Sequence, residues 1–321
     1  MALNITMTTP TNTTTSSIDD PQTSPINREL LLLASILIFV FGVAGNGSIC
    51  YGFCRFHQLR TLTNYFVFNL AIADLLLIST LAAWIVQDFR GNPQDERHLS
   101  VLLINMDVLC FSASMLNMAA VSIDRYCAVT HPFTYEQIIT KSRAHKVTIL
   151  IWVYSLAMAG VGVARFLVMN NSDSRIFVTV LSAISFVIPA TIMVFTHLCI
   201  FKIAWATKQR TQRDRREVES GRGNEIGKTL KLSFNTLVIL VPMVTAWGIF
   251  YGVTVLEAHC LDCFQLSPQF SVTVGLLPHV TAAIDPIVYI LLTRDLRLKL
   301  CACSCKLSRN HVSWDVKHFG Q

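Results

Sequence analysis

Five charged side chains stand in stretches that are otherwise mostly apolar: Asp74, Asp107, the adjacent pair Asp124-Arg125, and Asp285. Asp107 and Arg125 share one run, MDVLCFSASMLNMAAVSIDRYCAVTHP, residues 106–132. On a helix they stand about five whole turns apart, so they project from one face roughly 27 Å apart. One rod then carries an anion near one end and a cation near the other. Charges in apolar surroundings are costly and mark function more often than packing. That spacing suits binding at Asp107 and a report at Arg125. Asp74 lies in mid-run of NYFVFNLAIADLLL, and Asp285 precedes Pro286. An acid at such depth suits an ion or proton site, with burial as a neutral packing acid the alternative. Ser182 and Ser185 stand about one turn before Pro189 on one helix face. They either meet a ligand or bond back to their own backbone.

The elements that must position these groups are membrane helices. Hydrophobic residues make up 52% of the 321, and only 14% are charged, well below the share usual in soluble domains. Seven runs are long enough to cross a hydrocarbon layer: 30–53, 64–84, 99–129, 147–169, 176–205, 232–256 and 270–292. An all-α, seven-transmembrane helix bundle follows, as one receptor-sized domain over 29–300, with 1–28 outside it and a tail over 301–321. With the N-terminus outside, basic residues crowd the inner side. Only Arg28, Arg90, Arg97, Arg165 and Arg175 fall on the outer side. That bias accounts for the +6 net charge without nucleic acid. The inner loops suit anionic lipid and acidic cytosolic partners.

Residues 1–28 are rich in Thr, Ser, Asn and Pro and read as disordered. They lack the pattern of a cleaved signal peptide. Asn4, Asn12 and Asn170 head glycosylation sequons, all on the expected outer side. Of ten cysteines, Cys50, Cys54, Cys110, Cys127 and Cys199 fall in helices as small apolar residues. Cys260 and Cys263, in the last outer loop, are placed to pair. Cys301, Cys303 and Cys305 follow the seventh run, where palmitoylation would make a lipoprotein. Residues 293–300 read as an amphipathic eighth helix on the inner surface. Gly42, Gly45 and Gly47 point to close contact along the first run, and Asn46 needs a polar partner. Pro242 and Pro286 predict kinks that leave helix carbonyls unpaired. The chain carries no phosphate loop, zinc-spaced His/Cys cluster or hydrolase elbow, so no enzyme is expected.

These features resemble the rhodopsin-like (class A) G-protein-coupled receptors over nearly all of residues 30–305. The carriers are Gly45-Asn46, Asn69-Leu70-Ala71 with Ala73-Asp74, Asp124-Arg125-Tyr126, Trp152, Pro189, Pro242 and Asp285-Pro286 with Tyr289, one set per run in order. The resemblance implies that Arg125, flanked by Asp124 and Tyr126, engages a heterotrimeric G protein once the sixth helix swings outward. Tyr289 would turn inward to support that state, and Pro132 and Phe133 would form a hydrophobic plug for the G protein. Asn46, Asp74, Ser114 and Asp285 would line a sodium or proton pocket, with Asp74 the Na+ ligand. No cofactor beyond that allosteric ion is implied.

Within that family the third run looks most like the biogenic-amine receptors. Asp107 stands where they place the amine-binding acid, and Ser182 and Ser185 where they bond catechol or indole hydroxyls. The departures are as specific. Ser100 replaces the Cys that usually ties the third helix to the second outer loop. The aromatic switch before Pro242 reads Ile239-Leu240-Val241, and Met243 and Val244 replace the aromatic pair after it. Leu276 and His279 replace the aromatics that close the amine cage, so cation–π support is expected to be missing. His279 thereby joins the ligand-binding candidates. Arg222 stands where an acid usually locks Arg125, with Glu225 the nearest acid, so a looser resting state is expected. Melanocortin and lipid receptors share some of these departures. The function implied is a plasma-membrane receptor that turns binding of a small cationic amine into G-protein activation. The alternatives are a peptide or lipid receptor, or a ligand-independent partner protein, self-association into a dimer included. Asp107 as a purely structural acid, paired with His279, is a further alternative.

Overall fold

A computed structural model describes residues 25–90, 93–168, 174–213, 222–259, 268–293 and 296–299. Asn4, Asn12, Asn170, Cys260, Cys263, Cys301, Cys303 and Cys305 lie outside the described residues, as do the side chains of Arg222 and Glu225.

Every element among the described residues is helical. In order they are α1 (Pro25–Arg55), a 3-10 turn (His57–Leu59), α2 (Leu62–Arg90), α3 (Pro93–Thr130), the short α4 (Tyr135–Ile138) and α5 (Lys141–Val168). There follow α6 (Ser174–Ser182), a π segment (Ala183–Val187), α7 (Ile188–Arg213), α8 (Arg222–His259) and α9 (Pro268–Leu292). Seven spans are long and apolar enough to cross a membrane. The fourth is α5, the fifth is the unit α6–π–α7, and the sixth and seventh are α8 and α9. The first helix begins at Pro25, inside the segment expected to be disordered. Proline suits the first turn of a helix, where its missing N–H would be unpaired anyway.

The second and third spans form the inside of the bundle. Leu77, Ile78, Phe111, Met115, Met193, Leu240, Met243 and Trp247 pack into its main core. Leu30, Leu33, Phe41, Leu150 and Phe195 turn outward, as expected where the surroundings are hydrocarbon rather than water.

The prolines show how the chain satisfies its backbone. Pro286 cannot donate to the carbonyl four residues earlier, that of Ala282. Asn46 fills the vacancy: its Nδ2 donates to Ala282 O at 2.9 Å and to Gly42 O at 3.1 Å. That approach requires glycine on the first span. A Cβ on Gly45 would stand 2.6 Å from Pro286 Cγ, and one on Gly42 would stand 1.8 Å from Ile78 Cδ1. Gly47 departs from expectation, since nothing lies within 4 Å of where its Cβ would be. In the fifth span Pro189 has the same effect on the Ser185 carbonyl, and the preceding turn widens into the π segment. Of the helix cysteines, Cys110 is buried and Cys54 is exposed.

After the seventh span, residues 296–299 form a helical turn. Leu296 is buried against Leu59 and Phe66, and Lys299 donates to Gln58 and lies 5.7 Å from the Phe56 ring.

Because a proline ring yields less than the far end of an isoleucine, Gly45→Val should cost about 1–3 kcal/mol. It should lower the melting temperature of the detergent-purified protein clearly, while Gly47→Ala leaves it unchanged within error.

Candidate functional site

Asp107 lies on the third span facing the second and is 9% exposed. Both its oxygens are taken by neutral donors: Thr80 Oγ1 donates to Oδ1, and Trp84 Nε1 donates to Oδ2 at 2.9 Å. The second span thus turns the carboxylate toward itself. Pairing of Asp107 with His279 is not formed. His279 is 1% exposed, and its Nδ1 meets the carbonyl of Gly275 one turn earlier, at 3.1 Å. Its Nε2 has no partner. One turn along from Asp107, Phe111 brings its ring to 6.2 Å from the His279 ring.

The same Phe111 meets Trp247 edge-on at 4.2 Å, and Phe250 at 5.6 Å. Trp247, 1% exposed, continues to Tyr251, which stacks on Phe186. Trp247 and Phe250 thus extend an aromatic cluster from Phe111, which stands one turn along from Asp107. They come from one to two turns beyond Pro242 rather than from the positions beside it. Ser182 and Ser185 are both buried. Ser185 Oγ lies near the Tyr154 and Tyr251 hydroxyls, yet no pair closes to full hydrogen-bond geometry. Where a disulfide was expected to be missing, Gln87 Nε2 donates to Ser100 Oγ at 2.7 Å, tying the second and third spans by a weaker link.

At mid-depth, Ser114 Oγ donates to Asp74 Oδ1 at 2.7 Å, while Asp74 Oδ2 is buried without a partner. Asn46, Asp74, Asp285 and Tyr289 line a cavity of about 30 Å³, room for about one water. Tyr289 Oη donates to Asn64 Oδ1 at 2.7 Å. No cluster of three or more His, Cys, Asp or Glu suited to a metal occurs among the described residues.

At the other end of the third span, Arg125 Nη2 and Nε reach Asp124 Oδ2 at 2.5 and 3.0 Å. Thr63 Oγ1 donates to that oxygen at 2.6 Å and accepts from Arg125. Tyr135 Oη, from α4, donates to Asp124 Oδ1 at 2.6 Å. Burial, then the Asp124 carboxylate, pushes the Tyr135 hydroxyl up to about 12, so it stays a donor at neutral pH. Tyr126 is half-buried, and just past α3 Phe133 is 78% exposed beside Pro132.

With Asp107, the Asp74–Asp285 cavity and the Asp124–Arg125 pair thus set out at three levels, the comparison with known proteins is decisive: the pattern of the 7 transmembrane receptor (rhodopsin family) matches residues 45–289. The chain belongs to the rhodopsin family of seven-transmembrane receptors. It is 26% identical over 296 residues to the histamine H2 receptor of Cavia porcellus, covering 88% of this chain and 81% of that one. The histamine H2 receptor of Canis lupus familiaris is 28% identical over 294 residues, covering 85% and 79%. A dopamine D2-like receptor of Drosophila melanogaster is 33% identical over 210 residues, covering 59% of this chain and 22% of its own length. The rhodopsin-family chain is accordingly a multi-pass plasma-membrane receptor and not an enzyme.

Thr80, Trp84, Thr63, Tyr135 and Trp247 escaped the sequence reading. A lone hydroxyl or indole in an apolar helix has no pattern, and only a register between spans shows which acid it meets. Removing both donors, as Thr80→Val with Trp84→Phe, leaves a buried carboxylate unpaired at a cost of about 1–3 kcal/mol. The double variant should melt lower in detergent, and adding Asp107→Asn should recover much of the loss.

Proposed function

We propose that this receptor binds a small cationic amine at Asp107 and passes its occupancy to a heterotrimeric G protein at Arg125. The observation that carries the reading is Asp107 itself: a buried carboxylate with neutral donors only, on a span that ends in the Asp124–Arg125 pair. A ligand ammonium supplies the positive charge those donors lack, a contact worth roughly 1.5–3 kcal/mol. The aromatic cluster of Phe111, Trp247 and Phe250, beginning one turn from Asp107, supports the same ligand class. Relatives whose names say histamine and dopamine receptor agree with it. Ser182 and Ser185 would serve ring hydroxyls on the ligand.

With the N-terminus outside, Arg125, Pro132, Phe133 and Tyr289 face the cytosol. Outward movement of the sixth span would release Arg125 from Asp124 and Thr63 toward the G protein, with Phe133 as the plug. At mid-depth, Asp74 Oδ2, Ser114 and Asp285 offer the oxygen ligands a sodium ion takes, and the unpartnered Asp74 oxygen fits that occupant. Sodium bound there would offset one of the two carboxylate charges, and a proton on one acid would offset the other.

Asp107→Asn keeps the shape and removes the charge. It should reduce amine potency roughly ten- to a hundredfold with surface expression intact, read as G-protein activation across several G-protein families in an amine-library screen. Unchanged potency would reject the amine reading and favour a peptide or lipid ligand.

A further inference from the structure

We infer that the first turn of the second span is an autoinhibitory clamp: Thr63 and Asn64, neighbours in sequence, hold the Asp124–Arg125 pair and Tyr289 at the same time, and the first inner loop sets that turn. This rests on the G-protein reading above and deepens it, by naming what keeps the coupling groups withdrawn in the unoccupied receptor.

Thr63 is bound in both directions. Its Oγ1 donates to Asp124 Oδ2 at 2.6 Å and accepts from Arg125 Nη2. A hydroxyl carries one hydrogen and acceptor lone pairs, so a single side chain closes on both members of the pair. Arg125 cannot turn away without giving up Thr63 as well as Asp124.

Asn64 holds the seventh span. Leu59 O only accepts, so the Asn64 atom facing it at 2.8 Å is Nδ2. That fixes the amide and leaves Oδ1 to accept from Tyr289 Oη at 2.7 Å. The backbone N of Asn64 donates to Thr61 Oγ1 at 3.2 Å. Consecutive residues on a helix project about 100° apart, which lets one turn meet the third span and the seventh together.

The loop before this turn is anchored on both sides. Leu59 N donates to Phe56 O, and Thr61 N to Leu59 O, each at 2.9 Å. Leu59 is buried with Phe66 and Leu296, and Lys299 donates to Gln58. The carbonyl that orients Asn64 therefore belongs to a loop pinned by residues that follow the seventh span. A displacement of this loop shifts the partners of Arg125 and Tyr289 together, which makes the loop the control point of the clamp.

The test uses the purified full-length receptor in lipid nanodiscs, without ligand. Nucleotide exchange is measured on G proteins of several families, beside the separation of the third and sixth spans from spin labels at His131→Cys and Phe234→Cys. Thr63→Val, which keeps the shape and loses the hydroxyl, and Asn64→Leu should each raise ligand-free exchange about fivefold. Both should also shift the ligand-free distances to longer values, while Thr63→Ser, which keeps the hydroxyl, stays near the native level. Native exchange and native distances in both folded variants would overturn the inference, as would an equal rise in Thr63→Ser. A variant that does not fold is replaced by Thr63→Ala or Asn64→Ala, judged on the same terms. If neither the native receptor nor any variant drives exchange, with or without an amine, the G-protein reading fails and the distances alone decide. Lengthened in the ligand-free variants they sustain the clamp, and unmoved they overturn it.

Discussion

A carboxylate inside a membrane must be given hydrogen-bond donors, a counter-charge or a proton, and the second and third spans of this receptor are joined by meeting that demand three times. Thr80 and Trp84 serve Asp107, Ser114 serves Asp74, and Thr63 serves Asp124. The pairs descend the two spans in one antiparallel register. Sliding one helix past the other by a turn would cost all three acids their donors across the spans at once, leaving only Asp124 with other partners. The polar pairs therefore fix the register that the apolar contacts, interchangeable with lipid, do not.

Differences among the three levels suit different tasks. The level at Asp107 has neutral donors and spare acceptor capacity. The middle level has two acids, Asp74 and Asp285, on one small cavity and a single hydroxyl donor on Asp74. The level at Asp124 already holds its cation, Arg125, with Thr63 and Tyr135 completing the shell. Only the level at Asp124 thus holds a counter-charge among the described residues. On the proposed reading, a cation arriving at Asp107 would add the counter-charge that Thr80 and Trp84, as neutral donors, do not supply. From that level Phe111 meets Trp247 on the sixth span and lies near His279 on the seventh, and both spans carry proline within the helix.

Residue types and spacing revealed the seven spans, the acids, the Asp124–Arg125 pair and the prolines, because each departs from a long apolar background. They did not reveal the partners. Asn46 was marked as needing one, but that it would cap the carbonyl freed by Pro286 depends on how close Gly45 lets two helices come. The aromatic cluster around Phe111 was missed for a related reason. Reading only the positions beside Pro242 found Met243 and Val244, whereas Trp247 and Phe250 meet Phe111 from farther along the span. The π segment was invisible because a widened turn follows from local backbone competition around Pro189, not from any residue pattern.

The central claim is that charge at Asp107 governs the geometry at the Arg125 end, and the most direct measurement is a distance between spans. Spin labels at His131→Cys and Phe234→Cys, on a background with reactive cysteines replaced, report the separation of the third and sixth spans at that end. Addition of a primary arylethylamine should shift the distance distribution to longer values, and Asp107→Asn should abolish the shift while Ser100→Ala leaves it in place. A distribution unmoved by an amine that demonstrably binds, or one that moves equally in Asp107→Asn, would contradict the coupling.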